Sequence, residues 1–269
     1  MSSATKRLLQ IMVRLRDPDG GCAWGLEQTL DTIAPHTIEE AYEVAEAIET
    51  KDLEALKGEL GDLLFQVVFL ARIAEEAGAF DYEAVANAIS DKMVKRHPHV
   101  FSDATVANAA AQTCAWEELK AHDRLSKALR ADRLDSALDG VTSTLPALTR
   151  AIKLQNRAAR VGFDWPSSDG AIAKLREETD ELVREVTEPQ PNQAERILDE
   201  VGDLLFSCVN VARKLNIDPE KALRQGNAKF ERRFCHIESQ LAKNGQRPED
   251  MTLTALGFCW EQAKNDEEC

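Results

Sequence analysis

One ten-residue segment, ELGDLLFQVV at 59–68, returns almost unchanged as EVGDLLFSCV at 200–209. A chain that carries the same unusual element twice is constrained to fold as two copies of one unit, because each copy presents the same apolar face for burial. Further matches extend the repeat. Trp24 in GCAW pairs with Trp165 in GFDW, the glutamates of EEAYE (39–43) with those of EETDE (177–181), KMVKR (92–96) with KFERR (229–233), and WEELK (116–120) with WEQAK (260–264). The offset between copies is 138 residues from Glu40 to Glu178 and 141 from Asp62 to Asp203, so the second copy holds three extra residues near TEPQPNQ. No proline-rich or low-complexity linker separates the halves, and the junction is set near Ala131, giving domains 1–131 and 132–269.

Both halves read as all-α. Apolar residues recur at three- and four-residue spacing over 5–15, 37–49, 53–76 and 81–95, then over 146–158, 169–186, 194–214, 219–242 and 252–264, and no stretch alternates as a strand does. Asp52 and Asp81 stand as N-caps, Pro219 in a first turn, and Thr37-x-x-Glu40 as a capping box that opens a helix at 37.

The chemistry lies in the acids. On helices, Glu177, Glu178 and Glu181 share a side, as do Glu200 and Asp203 on the next helix; Glu40, Glu43, Glu59 and Asp62 repeat the arrangement in the first half. Like charges at this spacing repel by only about 0.2–0.5 kcal/mol per pair when exposed, so a solvated acidic face is the ordinary explanation. That explanation weakens after Asp62 and Asp203. Leu63, Leu64, Phe65, Val67 and Val68 wrap the first segment and Leu204, Leu205, Phe206 and Val209 the second, which predicts burial on several sides. A carboxylate in such surroundings needs a cationic partner. Four hard oxygen donors from two adjacent helices suit Mg²⁺ or Mn²⁺. Gly61 and Gly202, inside these helices, are expected to let a helix or a ligand come close.

Charge narrows the ligand. With 33 basic and 47 acidic residues the chain carries −14, which disfavours nucleic acid or an anionic membrane as partner and requires cations for any phosphate ligand. Lys229, Arg232 and Arg233 lie on one helix face, and Lys174 one turn before Glu178; such groups are either surface ion pairs or phosphate contacts. The start of the chain lacks an apolar signal core, no run is long enough to span a membrane, and the six cysteines form no CxxC or zinc spacing, so a cytoplasmic protein with reduced thiols is expected. His97, His99 and His236 flank basic helices and are expected to be surface or capping residues.

Taken together, TIEEAYEV, GELGDLLFQVVF, RHPHVF, VGFDW, GDLLF and KFERRF resemble the MazG-type all-α nucleoside triphosphate pyrophosphohydrolases in their two-domain bacterial form, over nearly the whole chain. The resemblance implies four-helix-bundle-like units completed by homodimerisation. It also implies Mg²⁺-dependent hydrolysis of ribo- or deoxynucleoside triphosphates to monophosphate and pyrophosphate, with broad base tolerance, in nucleotide-pool housecleaning. By matched position, Glu178, Glu181, Glu200 and Asp203 are metal ligands and, with Glu177, the catalytic carboxylates; Glu40, Glu43, Glu59 and Asp62 form a second, lesser metal site. Lys174, Asp199, Lys229, Arg232, Arg233 and Trp260 are nucleotide contacts, with Asp199 also supporting the ligands. The family's GCPWD reads Gly21-Cys22-Ala23-Trp24-Gly25 here, a departure in the first half.

Two readings of another class use the same residues: an acidic dimerisation or regulatory module, and a metal-binding protein without turnover. Within the enzyme reading the second half is expected to dominate. Ser207 and Asn210 continue a polar stripe from Asp203, whereas the matching first-half positions are Gln66 and Phe69, so the first half is degenerate, regulatory or selective for another ligand. No GxxxxGK[ST] loop is present, which points to a triphosphate held by cations and attacked at the α-phosphorus.

Overall fold

Each helix read from the periodicity forms in the computed structural model, and most ends fall within two residues of the expected ones. The structure describes residues 3–102, 108, 111–112, 115–116, 119, 136–188 and 191–267, and among these no strand occurs. The first half contains α1 (Ser3–Leu15), a short α2 (Ala23–Glu27), α3 (Leu30–Thr50), α4 (Leu53–Glu76), α5 (Tyr82–Arg96) and the single turn α6 (Pro98–Phe101). In the second half stand α7 (Ala147–Arg160), α8 (Ser168–Thr187), α9 (Gln193–Lys214), α10 (Pro219–Lys243) and α11 (Leu253–Glu267), with a 3₁₀ turn at Pro248–Asp250. The chain divides into two compact units, 1–120 and 121–269; the junction expected near Ala131 lies outside the described residues. Among the described residues no helix is long and apolar enough to cross a membrane.

Caps explain most boundaries. Asp52 accepts from the Glu54 and Ala55 amides, Asp81 from Ala84 and Asp218 from Lys221, each satisfying donors that the helix itself leaves free. The start of α3 differs from the expectation. Thr29 and Thr32 form the capping box, eight residues before the box expected at Thr37, and the Thr37 hydroxyl donates to the Ile33 carbonyl at 3.2 Å. Pro35 is therefore inside the helix, where it removes one hydrogen bond. The earlier start carries Ile33 into the core.

That core joins α1, α3 and α4 through Met12, Ile33, Val68 and Phe69, each 1% exposed. Full burial of side chains this size is worth about 1.5–3 kcal/mol each. In the second half, α8 lies along α9 as α3 lies along α4, but the buried residues on α7, α8 and α9 are small or polar: Ala151, Gln155, Ala171, Glu178, Ser207 and Val209. A separate cluster of Ile237, Leu241 and Ala263, with Trp260 packed on it, joins α10 to α11.

Two expectations about the ExxD helices are corrected. Burial on several sides does not occur within one chain: Asp62 and Asp203 are exposed, and so are Leu60, Leu64 and Val67 on α4 and Leu198, Val201 and Leu205 on α9. Each helix buries only the stripe that faces its partner, and an apolar row remains open on another side. Gly61 and Gly202 have open space where a Cβ would stand, so neither makes room for a close neighbour in the chain.

Candidate active site

The acids of the second half converge from α8 and α9. Glu178, Glu181 and Glu200 place carboxylate oxygens all within 4.8 Å of one another. Asp203 stands outside this trio, one turn along α9 and close enough to act on Glu200. Desolvation, followed by repulsion from Glu181, Glu178 and Asp203, pushes the Glu200 carboxyl above the ordinary carboxylate range. Glu178 is the buried member, at 4% exposure. Its cation is Lys174, whose Nζ lies 2.8 Å from Glu178 and 2.7 Å from Glu177; those two hydrogen bonds, Glu177 first, raise the ammonium above its usual value. Arg196 pairs with Glu185 and ties the start of α9 to the end of α8, so the trio sits where the helices are fastened.

The first half repeats the trio with Glu40, Glu43 and Glu59, again within 4.8 Å, and with Asp62 outside it. Its local partners differ. Position 174 corresponds to His36, which faces Glu39 at 3.6 Å, and the buried Gln66 replaces Ser207, its Nε2 donating to Glu40 at 3.2 Å. The Gln66 Oε1 is buried without a partner. Desolvation first, then Glu59, Glu40 and Glu39, raise the Glu43 carboxyl. Both trios offer only hard oxygen donors, a set that fits a divalent cation such as Mg²⁺; in the second, Lys174 pairs with Glu178 and Arg184 lies 3.3 Å from Glu181.

Beyond the acids the halves diverge. A cavity of about 590 Å³ opens beside α9 in the second half, lined by Leu154 and Gln155 of α7, by Phe163 and Trp165 of the connecting loop, and by Phe206 and Asn210. Gln155 Nε2 donates to the Phe206 carbonyl at 2.9 Å, which leaves its buried Oε1 without a partner. The loop is anchored by Asp164, which Arg213 and Lys214 hold with its carboxyl lowered to about 2, chiefly through the Arg213 hydrogen bond. Lys214 also donates to the Trp165 carbonyl at 2.6 Å, and Arg213 to Asn210 Oδ1 at 2.8 Å. In the first half Phe69 takes the position of Asn210 and is buried, at 1% exposure. Trp24 stacks on its ring at 6.3 Å, Phe65 packs at 5.7 Å, and the Arg16 guanidinium lies 5.4 Å from its centre.

Of the polar stripe read from the sequence, Asn210 lines this cavity, whereas Ser207 is buried and does not. Its other walls were missed, because Leu154, Gln155 and Trp165 come from segments whose convergence no local pattern announces.

The remaining expected contacts sit elsewhere. Lys229, Arg232 and Arg233 lie on α10, where Glu267 of α11 accepts from Arg232 Nε at 2.8 Å and from Arg233 Nε at 2.7 Å. Trp260 packs against Phe230 with ring centres 5.3 Å apart, and Arg233 lies 5.6 Å from its ring. Among the described residues no ion pair joins this basic face to the acid trio. Asp199 is exposed on α9. His97 caps α5, its Nδ1 2.7 Å from the Met93 carbonyl, and His236 faces Asp266 at 3.3 Å. The described cysteines, Cys22, Cys208, Cys235 and Cys259, are free thiols, while Cys114 and Cys269 lie outside the described residues.

Comparison with known proteins finds the MazG nucleotide pyrophosphohydrolase domain twice, at residues 28–101 and 167–237, each match containing one acid trio. A nucleoside triphosphate pyrophosphohydrolase of Escherichia coli (strain K12) is 47% identical over 261 residues, 97% of either chain. A Thermotoga maritima protein named nucleoside triphosphate pyrophosphohydrolase/pyrophosphatase MazG is 40% identical over 263 residues, 98% of this chain and 96% of that one. A nucleoside triphosphate pyrophosphohydrolase of Mycolicibacterium smegmatis is 38% identical over 142 residues, covering 52% of this chain and 42% of its own.

Proposed function

Because this chain belongs to the MazG nucleotide pyrophosphohydrolase family, we infer that it hydrolyses nucleoside triphosphates to monophosphate and pyrophosphate, with the second half as the principal site. The observation that carries the choice of half is that α9 contributes both to an acid trio and to the wall of an open cavity. Asp203 and Asn210 are seven residues apart on α9, about 10 Å along the axis, which suits phosphates at one end and a nucleoside at the other.

Glu178, Glu181 and Glu200, joined by Asp203, are the residues that would hold Mg²⁺, with Mn²⁺ as substitute. When bound, such ions polarise phosphate oxygens and make a coordinated water more acidic. The chain's own groups do the rest. Lys174 pairs with both Glu177 and Glu178 and places one positive charge beside the buried carboxylate, and Asp199 lines the exposed flank of α9. Arg232 and Arg233 are held by Glu267 through single Nε bonds, so other guanidinium donors remain for phosphate, with Lys229 beside them. Trp260 supplies a flat face that Arg233 already covers. The mainly apolar cavity orients a base by shape rather than by a dense polar code, which supports broad base tolerance.

The first trio is read as a second metal site without an equal nucleoside pocket. A homodimer completes the arrangement. The rows Leu60, Leu64 and Val67 on α4 and Leu198, Val201 and Leu205 on α9 form apolar stripes of the kind that a helical partner covers. Light scattering should give twice the 29.9 kDa chain mass; a monomer at micromolar concentration refutes the dimer.

The reaction is tested by hydrolysis in ¹⁸O-water. Label in the monophosphate, with pyrophosphate in equal amount, is expected. Label in pyrophosphate moves the attack to the β-phosphorus, and release of diphosphate with orthophosphate overturns the functional reading.

A further inference from the structure

The two tryptophans that open the repeats occupy different places, and two side-chain positions account for the difference. In the second half Trp165 lies against the first turn of α8. A Cβ on Gly170 would stand 2.8 Å from Trp165 Cε3, 2.9 Å from Cδ2 and 3.2 Å from Cγ, closer than side chains pack, so this placement of the ring depends on glycine. The N-caps Thr29 and Ser167 correspond, and so do Ile33 and Ala171, each 1% exposed; counting from them, Gly170 corresponds to Thr32. Thr32 has a side chain and uses it in the capping box. Trp24 has turned instead onto Phe69 and the edge of His36. Three more residues separate Trp24 from its N-cap than separate Trp165 from Ser167, and Trp24 sits inside the short helix α2, which gives it the reach.

We propose that positions 170 and 210, with their counterparts 32 and 69, form the switch that decides whether a half of this chain offers a nucleoside cavity. Gly170 is a positioning residue: it acts through Trp165, which it allows to stand as a wall. Asn210 leaves the space behind that wall open, and Arg213 fixes its amide at the cavity edge. Phe69, 1% exposed, is the plug that fills the same space in the first half. The halves thus share an acid trio and differ in substrate class: a cation with a nucleotide in the second, a cation without a nucleoside in the first. This rests on the reading of the cavity as the nucleoside site.

The test uses the full-length chain and two probes, a nucleoside triphosphate for turnover and a phosphate-free nucleoside followed by ligand-observed NMR. Asn210→Phe should abolish nucleoside binding and raise KM by about tenfold or more, the range by which a filled pocket discriminates. Gly170→Ala should raise KM by about three- to tenfold with kcat within about twofold, a split that a general loss of stability does not give. In the Asn210→Phe background, Thr32→Gly with Phe69→Asn should restore nucleoside binding, now in the first half. Unchanged KM and nucleoside binding in both Asn210→Phe and Gly170→Ala overturn the switch, whether or not the Phe69 variant folds. In parallel, loss of turnover in Glu200→Gln keeps the hydrolase reading intact, and retained turnover there overturns the reading on which the switch rests.

Discussion

Lys174→Met isolates what the buried carboxylate needs. The methionine keeps the aliphatic stem and removes the ammonium that lies 2.8 Å from Glu178 and 2.7 Å from Glu177. Breaking a fully buried ion pair costs about 3–5 kcal/mol, whereas an exposed pair contributes about 0–1 kcal/mol. Here Glu178 is 4% exposed but the Lys174 side chain is 38% exposed, so water screens one partner. An intermediate loss of about 1–2 kcal/mol follows, or about 2–8 °C in Tm for a unit of this size. The assay is thermal denaturation by circular dichroism, with chelator and again with saturating Mg²⁺. If the trio holds a divalent ion, that ion replaces the missing ammonium, and the deficit of the variant should shrink by more than half in Mg²⁺. The same deficit in both conditions would falsify the claim that lysine and metal neutralise one carboxylate. No deficit in either condition would show that the Lys174 pair contributes nothing to the stability of this helix pair.

Asp203→Asn should lose Mg²⁺-dependent turnover while the far-ultraviolet spectrum stays that of the parent, because the residue is exposed and contributes a charge rather than packing; retained turnover removes Asp203 from the ligand set. Glu178→Gln should cost at least about a hundredfold in kcat and Glu40→Gln much less, since the plugged first half contributes little turnover; equal losses contradict the choice of half. Asp164 has its carboxyl held down to about 2 from the usual 3.8, so its pairing stabilises the fold above that usual value and the contribution is lost as pH falls toward 2. Wild type should therefore be more stable than Asp164→Asn at neutral pH, with the gap closing across that acid window, and a gap independent of pH sinks the argument.

The sequence by itself determined the helices, the tandem repeat and the two sets of carboxylates, because each depends on spacing along one chain segment. Residues three and four apart on a helix share a face whatever surrounds them, so Glu178 with Glu181 and Lys174 with Glu178 were legible at once. Even the misjudged start of α3 was a local matter, a choice between two threonine caps, Thr29 and Thr37, eight residues apart, and the helix that forms buries Ile33. Contacts between distant segments were not legible in this way. Arg232 and Arg233 find Glu267 across 34–35 residues, and the apolar rows beyond Asp62 and Asp203 stay open because a single chain covers only one face of each helix. The cavity is the plainest case. Whether a tryptophan ring lies on the first turn of α8 or stacks on Phe69 depends on a missing Cβ and on the residue that an adjacent helix presents behind the ring. Two halves with the same acids thus enclose different spaces, because excluded volume acts between side chains in space and leaves no periodic signature along the chain.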